Sequence, residues 1–294
     1  MLSILIPVYN YDIVPLVIEI HKQVTTSDRI FEILAYDDGS DPRYNAKNKA
    51  IKNLKGCTFK ELPNNIGRSA IRNLLASEAN YELLLFIDAG TFPKHKNFIS
   101  NYLKEKSNTV VTGGMTCLSK TPKKPYKLRW LYTQKRESIN NQDPSKNATI
   151  ICSSNFLIRK EIFETVQFDE SLKKYGCEDV VFFDEVLKQG ISIKYINNPV
   201  IHDAGDDSYA FMKKTEQAVE NLVYLISSNK IDKNRYKVSK IYHNLNRLKL
   251  DTLVAFIFSS FKKILLINLN SSYPSILLYD FYRLGYFCLL KTKN

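Results

Sequence analysis

Polar or charged residues follow apolar runs at several places along this chain, and this arrangement is typical of the ends of β-strands. The segments are SILIPVYN at 3–10, AYDDGS at 35–40, NNIGRSAIRN at 64–73, LLFIDAG at 84–90 and YGCED at 175–179. In open α/β folds, ligands bind beyond the carboxyl ends of the strands. The series therefore predicts a ligand site at the rim of a mostly parallel sheet.

The first 115 residues alternate between predicted strands and predicted helices. The strands are expected at 2–7, 30–37, 57–62, 82–88 and 108–112, and the helices at 12–24, 42–53, 66–79 and 95–106. Such alternation predicts βαβ units and a sheet with helices on both faces. The continuous apolar run LLLFI at 83–87 is expected to form a central, buried strand.

The pattern becomes irregular between 116 and 149, where one short helix is expected at about 126–137. Long irregular segments in compact domains are usually either functional or disordered. We interpret this one as a lid over an acceptor, with four large side chains available for contact: Arg129, Trp130, Tyr132 and Arg136. Beyond it we expect strands at 150–158, 191–196 and 199–203, with helices from Lys160 and at 178–188.

After about residue 206 the pattern predicts helices alone, at 208–228, 232–249, 251–267 and 274–290. We divide the chain into an α/β domain at 1–228 and a helical region at 229–294. In the helical region, Ile257, Phe261 and Ile264 recur at helical spacing, close to Lys262 and Lys263. Such a surface suits either an anionic membrane or burial as a helical cap, and both interpretations stay open.

The formal net charge of +12 favours anionic partners. No nucleic-acid-binding motif is present and the lysines are dispersed, so we expect no nucleic acid partner. The five cysteines show no close pairing, which predicts a reducing compartment. Because the chain starts directly with a strand-like run, we expect no signal peptide and a cytoplasmic location, peripheral on the inner face of the membrane if the C-terminal helices bind lipid.

Residues at the first two strand ends are candidates for nucleoside binding. Pro7 is expected to end the first strand and to place Tyr9 and Asn10 on the rim, where an aromatic ring can border a base. Asp37 and Asp38 can accept hydrogen bonds from ribose hydroxyls or a base N–H. The alternative for this pair is an ordinary Asp-Gly turn.

Two arginines and an asparagine are candidates for the rest of such a ligand. Arg68 and Arg72 are four residues apart and share a helix face. Near a helix N-terminus they would suit a diphosphate, although a solvated basic face is the alternative. Asn155 lies at a predicted strand–helix junction and is expected to line the pocket.

Carboxylates at two further positions are candidates for the chemistry. Asp88 ends the central strand, where it could ligate Mn²⁺ or Mg²⁺. Glu178 and Asp179 begin a helix whose dipole favours the ionised carboxylate, so that one of them can act as general base. Helix capping is the alternative. His202, beside Asp203, is either structural or a ligand.

In this order, the motifs resemble those of family 2 glycosyltransferases with the GT-A fold, over about residues 1–205. The family's Pro-x-Tyr-Asn matches residues 7–10, and its Asp-Asp-Gly-Ser matches 37–40 and implies nucleoside contacts. Its Asn-x-Gly…Arg-Asn element is found at Asn65, Gly67, Arg72 and Asn73. The resemblance therefore implies that Arg72 and Asn73 belong to the nucleotide-sugar site.

The resemblance also assigns roles to the acidic residues. The Glu-Asp pair of the family, whose aspartate is the base, matches Glu178 and Asp179, and a histidine that helps hold metal or diphosphate matches His202. The Asp-x-Asp metal motif falls on residues 88–90, but its second aspartate is Gly90 here. Asp88 and His202 are then left as the expected ligands of a divalent metal.

The function implied is inverting transfer of a sugar from a nucleotide-sugar, expected to be UDP-linked, to a hydroxyl of a glycan or lipid-linked acceptor. Two alternatives are kept. A sugar-phosphate nucleotidyltransferase would need a glycine-rich phosphate loop near the N-terminus, and residues 1–30 contain no glycine. A catalytically silent sugar-binding or scaffold protein is suggested by Gly90.

Overall fold

The structure is a computed structural model that describes residues 1–27, 29–138 and 152–292. The chain forms two compact units. The sheet unit comprises Met1–Leu118, Arg136–Lys173 and Glu178–Asp203, and the helical unit comprises Ser119–Lys135, Lys174–Cys177 and Ala204–Asn294. The helix that follows residue 207 belongs to the helical unit, whereas our division at 228/229 placed it in the α/β domain. That division stays a prediction.

The main sheet has seven strands in the order β3-β2-β1-β4-β8-β6-β9. Their bounds are β1 Leu2–Val8, β2 Phe31–Asp37, β3 Cys57–Glu61, β4 Leu83–Ile87, β6 Val110–Thr112, β8 Asn155–Arg159 and β9 Ile193–Tyr195. Strand β8 runs antiparallel to its neighbours β4 and β6, and the other pairs are parallel. The prediction of a mostly parallel sheet is confirmed. The strand expected at 150–158 starts later, and residues 150 and 151 lie outside the described part.

A second, three-stranded sheet was only partly predicted. It is formed by β5 (Thr91–Pro93), β10 (Val200–His202) and β7 (Met115–Cys117) in that order. β10 is antiparallel to β5 and parallel to β7. Strands β5 and β7 have three residues each and, unlike the equally short β10 within PVIHD at 199–203, do not lie in a longer strand-like run. This sheet brings the end of β10 beside the residues that follow β4.

Helices cover both faces of the main sheet. They are α1 Val14–Thr25, α2 Pro42–Asn48, α3 Arg68–Glu78, α4 Phe98–Lys104, α6 Lys160–Val166 and α7 Glu178–Lys188, with a 3₁₀ turn at Lys49–Asn53. Along β1, Ile4 and Ile6 pack into one core, and Leu5 packs into the core on the opposite face. Because both faces are buried, the central strands read as continuous apolar runs. Pro7 does not end β1, which continues to Val8.

The helical unit contains α5 (Lys127–Tyr132), α8 (Ser208–Ser227), α9 (Lys237–Arg247), α10 (Asp251–Leu269) and α11 (Ile276–Thr292), and α5 is followed by a π-helical turn at Thr133–Glu137. Its core includes Leu128, Phe211 and Phe258. Gly285 lets α11 approach α10 closely, because a Cβ there would lie 2.5 Å from the Cβ of Phe258. The bounds of the four C-terminal helices agree with the predicted ones within about five residues.

The described part of the predicted lid, residues 116–138, includes a helix that is packed into the protein and does not lie free over a site. Leu128 and Trp130 are buried, and Arg129 donates a hydrogen bond of 2.8 Å to the hydroxyl of Thr133. The Arg129 guanidinium also lies 5.2 Å from the centre of the Phe211 ring. This helix is therefore part of the packed helical unit. The rest of the predicted lid, from 139 to 149, lies outside the described residues.

Candidate active site

The loops after β1 and β2 are tied together at the rim of the main sheet. Asn10 has a φ of 51°, its side-chain oxygen accepts from the amide of Asp41 at 2.8 Å, and its own amide donates to the Ser40 hydroxyl at 2.6 Å. Tyr9, next to it, is 55% exposed. Asn10 thus shapes the rim, and it leaves the Tyr9 ring accessible to a flat ligand.

Asp37 is fully buried and shapes the turn after β2. One of its carboxylate oxygens accepts from the amide of Ser40 at 2.8 Å, and the other accepts from the Ser40 hydroxyl. Gly39 occupies the turn with a φ of +73°, and a Cβ there would lie 2.7 Å from the amide nitrogen of Asn65. Only glycine fits both the dihedral angle and the close approach. The turn therefore has a structural role, and a nucleoside contact of Asp37 stays a prediction.

Asp38 joins the end of β2 to the start of α3. Its two carboxylate oxygens accept from the amides of Ile66, at 2.6 Å, and Gly67, at 3.1 Å. Burial raises the pKa of this carboxyl, and the two amide hydrogen bonds oppose the shift. Asp38 therefore binds the amides of the two residues that precede α3, and the diphosphate contact expected of Arg68 and Arg72 does not depend on those amides. A ligand contact of Asp38 itself stays a prediction.

Arg72 is buried and holds Asp88. Its Nη2 donates to Asp88 Oδ1 at 2.7 Å, and its Nη1 donates to the carbonyl oxygen of Arg68 at 3.2 Å. The guanidinium lies 5.3 Å from the centre of the Phe168 ring, a distance at which a cation–π interaction contributes. Arg72 is thus not on a solvated basic face.

Arg68 holds the other acidic residue of the site. Its Nη1 donates to Glu178 Oε1 at 3.0 Å, and the Glu178 side chain is 7% exposed. The second oxygen of Glu178 is buried without a hydrogen-bond partner among the described residues. The Arg68 side chain itself is 38% exposed, so that part of it faces solvent. The two arginines, one turn apart on α3, therefore bind acidic residues from two different elements.

Asp179 stands at the start of α7 with a strongly perturbed pKa. Burial, and then the charge of Glu178, raise the pKa of this carboxyl to about 7. A hydrogen bond from the Val180 amide and the positive charge of Arg72 oppose the rise, whereas Asp88 adds to it. Asp88, Arg72 and Asp179 are consequently close enough to influence one another. A carboxylate that titrates near neutral pH suits general base catalysis.

Cys152 also belongs to this neighbourhood, and no motif in the sequence points to it. Burial raises the pKa of its thiol to about 12, with further contributions from Asp179, Glu137 and Asp88. Its Sγ donates to the hydroxyl of Ser154 at 3.1 Å. Cys152 lies within the strand predicted at 150–158, but β8 begins three residues after it, at Asn155. The raised pKa keeps this cysteine a neutral thiol near the acidic residues.

The three-stranded sheet places His202 and Asp203 next to the residues that follow β4. In the antiparallel pairing of β10 with β5, His202 is opposite Thr91, and the Asp203 amide donates to the carbonyl oxygen of Gly90 at 3.4 Å. A Cβ on Gly90 would lie 4.0 Å from Asp203 Oδ1 and 3.7 Å from the Tyr11 ring. Asp203 thus presents a carboxylate beside the position where the motif lacks its second aspartate. The His202 ring is 3.8 Å from the same oxygen.

The donors available to a divalent metal are therefore Asp88, His202 and Asp203. Carboxylate oxygens and an imidazole nitrogen are ligands that Mn²⁺ accepts. In the described parts of the chain, however, no three His, Cys, Asp or Glu side chains are grouped closely enough to hold a metal ion alone. Asp88 also already binds Arg72. The donor chemistry fits, and phosphate oxygens of a ligand would have to complete the coordination.

The side chains of Asn73 and Asn155 bind other parts of the protein, and their assignment to the nucleotide-sugar site stays a prediction. Asn73 bonds the backbone of Phe168 with both its amide oxygen and its amide nitrogen, at 2.9 and 3.0 Å. Asn155 is fully buried, accepts from the Gly113 amide at 3.0 Å and the Tyr102 hydroxyl, and donates to the Gly114 carbonyl at 2.7 Å. Their polar atoms are satisfied within the protein.

Solved structures similar to this one are glycosyltransferases. A mannosyltransferase from Pyrobaculum calidifontis, solved with GDP-Man and Mn²⁺, has a TM-score of 0.60 at 14% identity, with 99% of this chain and 86% of that chain covered. Residues 1–349 of TarS from S. aureus, solved with UDP-GlcNAc, give 0.52 at 16%, with 99% and 92% covered. Of the longer TarS chain, 39% is covered. At these identities the similarity establishes the GT-A-like fold.

The sequence comparison agrees with the structural one. No curated protein matches the chain. The sequence profile of glycosyl transferase family 2 matches residues 3–167, which is more than half of the chain and includes Asp38, Arg72 and Asp88. With this match and the fold of its sheet unit, the chain belongs to glycosyl transferase family 2 and is a glycosyltransferase.

Proposed function

We propose that the protein transfers a sugar from a UDP-sugar to a hydroxyl of a glycan or lipid-linked acceptor, with inversion and with Asp179 as general base. The observation that carries the proposal is the raised pKa of Asp179, about 7, next to the ion pair of Arg72 and Asp88. An ordinary helix-capping aspartate would be ionised well below neutral pH. Titration near neutrality instead suits proton transfer from a hydroxyl.

The donor is assigned to the rim formed after β1, β2 and β4. The exposed Tyr9 ring would stack on the base. A ribose or base contact of Asp37 or Asp38 would require the turn after β2 to open, because these residues are only 0% and 3% exposed. UDP is chosen because TarS, a protein of similar fold, was solved with UDP-GlcNAc. The exposed part of Arg68 would face the diphosphate.

The reaction follows from this placement. The acceptor oxygen attacks the anomeric carbon while the bond from that carbon to the diphosphate oxygen breaks, which inverts the configuration. The proton of the acceptor hydroxyl passes to the Asp179 carboxylate, and the diphosphate leaves with its bonding electron pair. Arg68 and Arg72 supply positive charge as negative charge develops on the leaving group. Glu178 orients Arg68 through their 3.0 Å contact.

A divalent cation is part of the proposal in a limited form. Asp88 and His202 would hold it together with oxygens of the donor, and Asp203 would supply the carboxylate that Gly90 lacks. When bound, the ion would neutralise charge on the diphosphate. The residues that orient the acceptor and accept its proton are the same with or without it.

The proposal is tested by release of UDP from UDP-sugars, with and without glycan or lipid-linked acceptors. Asp179→Asn should lower turnover by about 10²- to 10⁴-fold, because the amide cannot accept the proton. The affinity for UDP should remain near that of the wild type. Glu185→Gln, a carboxyl-to-amide change on the same helix, is the control and should keep full turnover.

The same experiment separates the alternatives. Unchanged turnover in Asp179→Asn would refute its role as base. A wild-type protein that binds UDP-sugars and turns none over with any acceptor would be a silent sugar-binding relative. Release of pyrophosphate from a nucleoside triphosphate and a sugar phosphate would identify a nucleotidyltransferase.

A further inference from the structure

Helix α10 has two apolar faces, and the helical unit packs against only one of them. Its buried apolar side chains are Ala255, Phe258, Leu265 and Leu269, at spacings of three, seven and four residues that place them on one face of a helix. Phe258, Leu265 and Leu269 belong to a core cluster with Tyr279 and Tyr282 of α11. This face accounts for the contribution of α10 to the fold.

The opposite face of α10 is apolar and exposed. Six large side chains there have 37% to 72% of their surface exposed, and we call them the α10 apolar face: Leu253, Phe256, Ile257, Phe261, Ile264 and Ile267. Exposed Leu248 and Leu250 precede this face, and exposed Tyr273 and Leu277 follow it. Single exposed apolar residues are ordinary, but a contiguous set of this size marks an interaction surface.

The positive charge of the protein is concentrated in the same unit. By sequence, the helical unit contains 21 of the 42 Lys and Arg residues and 7 of the 30 Asp and Glu residues, which gives a net charge of +14. The sheet unit contains the other 21 basic and 23 acidic residues, a net charge of −2. On α10 itself, Lys263 is exposed. The helical unit, which carries the α10 apolar face, therefore attracts anions.

We propose that the α10 apolar face docks the protein on an anionic lipid bilayer, with α10 lying in the plane of the interface. Apolar side chains enter the boundary between headgroups and acyl chains, and basic residues bind the anionic headgroups. This surface lies outside the residues to which we assign sugar transfer, and the inference does not depend on that assignment.

An orientation in the membrane plane fits α10 better than one across the bilayer. By length and composition, α10 is the one helix in the described residues that could span a membrane. Its apolar stretch has a mean hydropathy of 1.6, and 22% of that stretch is buried. Yet Lys262, in its second half, binds Glu216 at 2.8 Å, and the Tyr282 hydroxyl donates to the same carboxylate at 2.6 Å. Spanning would separate these groups and the buried face from their partners.

Charge also favours lipid over a second copy of the chain. A symmetric dimer through this face would bring two units of +14 together, and like charges oppose such an association. Each anionic lipid, in contrast, neutralises a basic residue that approaches it.

The test is sedimentation of the full chain with vesicles of phosphatidylcholine alone or mixed with phosphatidylglycerol. The variant is Phe256→Ser, Ile264→Ser and Ile267→Ser together. Its matched control carries Ile18→Ser, Ile30→Ser and Leu187→Ser, three exposed apolar residues of the sheet unit. We expect the wild type and the control to bind the anionic vesicles. The α10 variant should bind at least about tenfold more weakly, and added salt should weaken the wild type.

Two further measurements make the outcome decisive. Phe256→Trp should shift its emission to the blue with anionic vesicles only, against the background of Trp130, which is buried. Sedimentation without lipid gives the oligomeric state. A wild type that fails to bind anionic vesicles, or an α10 variant that binds as well as the control, overturns the proposal. A wild-type dimer that the α10 variant converts to monomer, without vesicle binding, assigns the face to chain–chain contact instead.

Discussion

The guanidinium of Arg72 lies 2.7 Å from the carboxylate of Asp88, so the residue that follows β4 is held by an arginine from α3. Arg72 also lowers the pKa of Asp179, whereas Asp88 raises it. Arg72 and Asp88 thus shift the pKa of the proposed base in opposite directions, in addition to the larger effects of burial and of Glu178. Loss of Arg72 alone should therefore change the pH dependence of the reaction as well as its rate.

For the wild type, we expect kcat/KM to rise with pH along an acidic limb with an apparent pKa near 7. The reason is that Asp179, whose pKa is about 7, must be ionised to accept a proton. The measurement is UDP release between pH 5 and pH 9, a range in which the fold must be shown to persist by circular dichroism. A rate independent of pH over this range would contradict the assignment.

Arg72→Gln should move that acidic limb to higher pH and lower kcat/KM by roughly 10- to 100-fold, because a positive charge near Asp179 and near the leaving diphosphate is lost. The pH profile is the informative readout, since general damage to the fold would lower the rate without moving the limb. Arg43→Gln is the control, because Arg43 binds Asp41 at 2.9 Å in an exposed pair. An unmoved limb in Arg72→Gln would show that Arg72 does not act on the base.

Asp179→Asn should stabilise the fold, and more so at higher pH. The pKa of this carboxyl is about 7 in the folded state, compared with an ordinary value of 3.8, so the folded state binds its proton more tightly. The wild type therefore loses stability as pH rises from about 4 to about 7, because the Asp179 carboxyl must ionise in the folded state. The free energy of unfolding of the variant relative to the wild type should grow by roughly 2–3 kcal/mol between pH 5 and pH 8.

Urea unfolding at both pH values measures this difference. Glu185→Gln, on the same helix and paired with exposed Lys188, should show no such growth. If Asp179→Asn gave the same relative stability at pH 5 and pH 8, the carboxyl would have an ordinary pKa in the fold.

The sequence was sufficient for the elements with long or regular patterns. The central strand β4 lies within its predicted range because a buried parallel strand is a continuous apolar run, and α7 has its predicted bounds, 178–188. The long helices of the C-terminal part are predicted because their apolar residues recur at helical spacing over several turns. The sequence does not predict β5 and β7, because these three residues in each case lie outside any longer apolar or alternating run, whereas the equally short β6, β9 and β10 lie within one.

The site was only partly predictable, since several roles depend on which distant residues meet. The motifs identify Asp38 as a site residue. They do not show that its carboxylate accepts hydrogen bonds from the amides of Ile66 and Gly67. They identified Asn155, whose partners Tyr102 and Gly113 are brought near by other elements. The contact between Asp203 and Gly90 depends on the register of β10 with β5, which the sequence does not display.

Tyr9→Ala should weaken UDP binding by roughly 5- to 150-fold, the range that corresponds to about 1–3 kcal/mol for an aromatic ring stacked on a base. Tyr9 is 55% exposed at the rim, so its loss should not unfold the protein. Calorimetry with UDP and with a ribose-free diphosphate compares the two ligands. Tyr209→Ala, an exposed tyrosine of the helical unit, is the control. An equal loss of affinity for both ligands would place Tyr9 away from the base.

Asp203→Asn should weaken binding of Mn²⁺ in the presence of UDP, and Gly90→Asp in the same chain should restore it. The reason is that a Cβ on Gly90 would lie 4.0 Å from Asp203 Oδ1, with ordinary contacts to the Tyr11 ring, so a side chain at 90 can deliver a carboxylate to the same space. The loss of free Mn²⁺ signal in electron paramagnetic resonance measures binding without any turnover. Asp206→Asn, whose carboxylate binds Lys214 at 2.7 Å, is the matched control. If Asp203→Asn binds Mn²⁺ as the control does, Asp203 is not a ligand; if Gly90→Asp fails to rescue a genuine loss, the two positions do not serve the same ion.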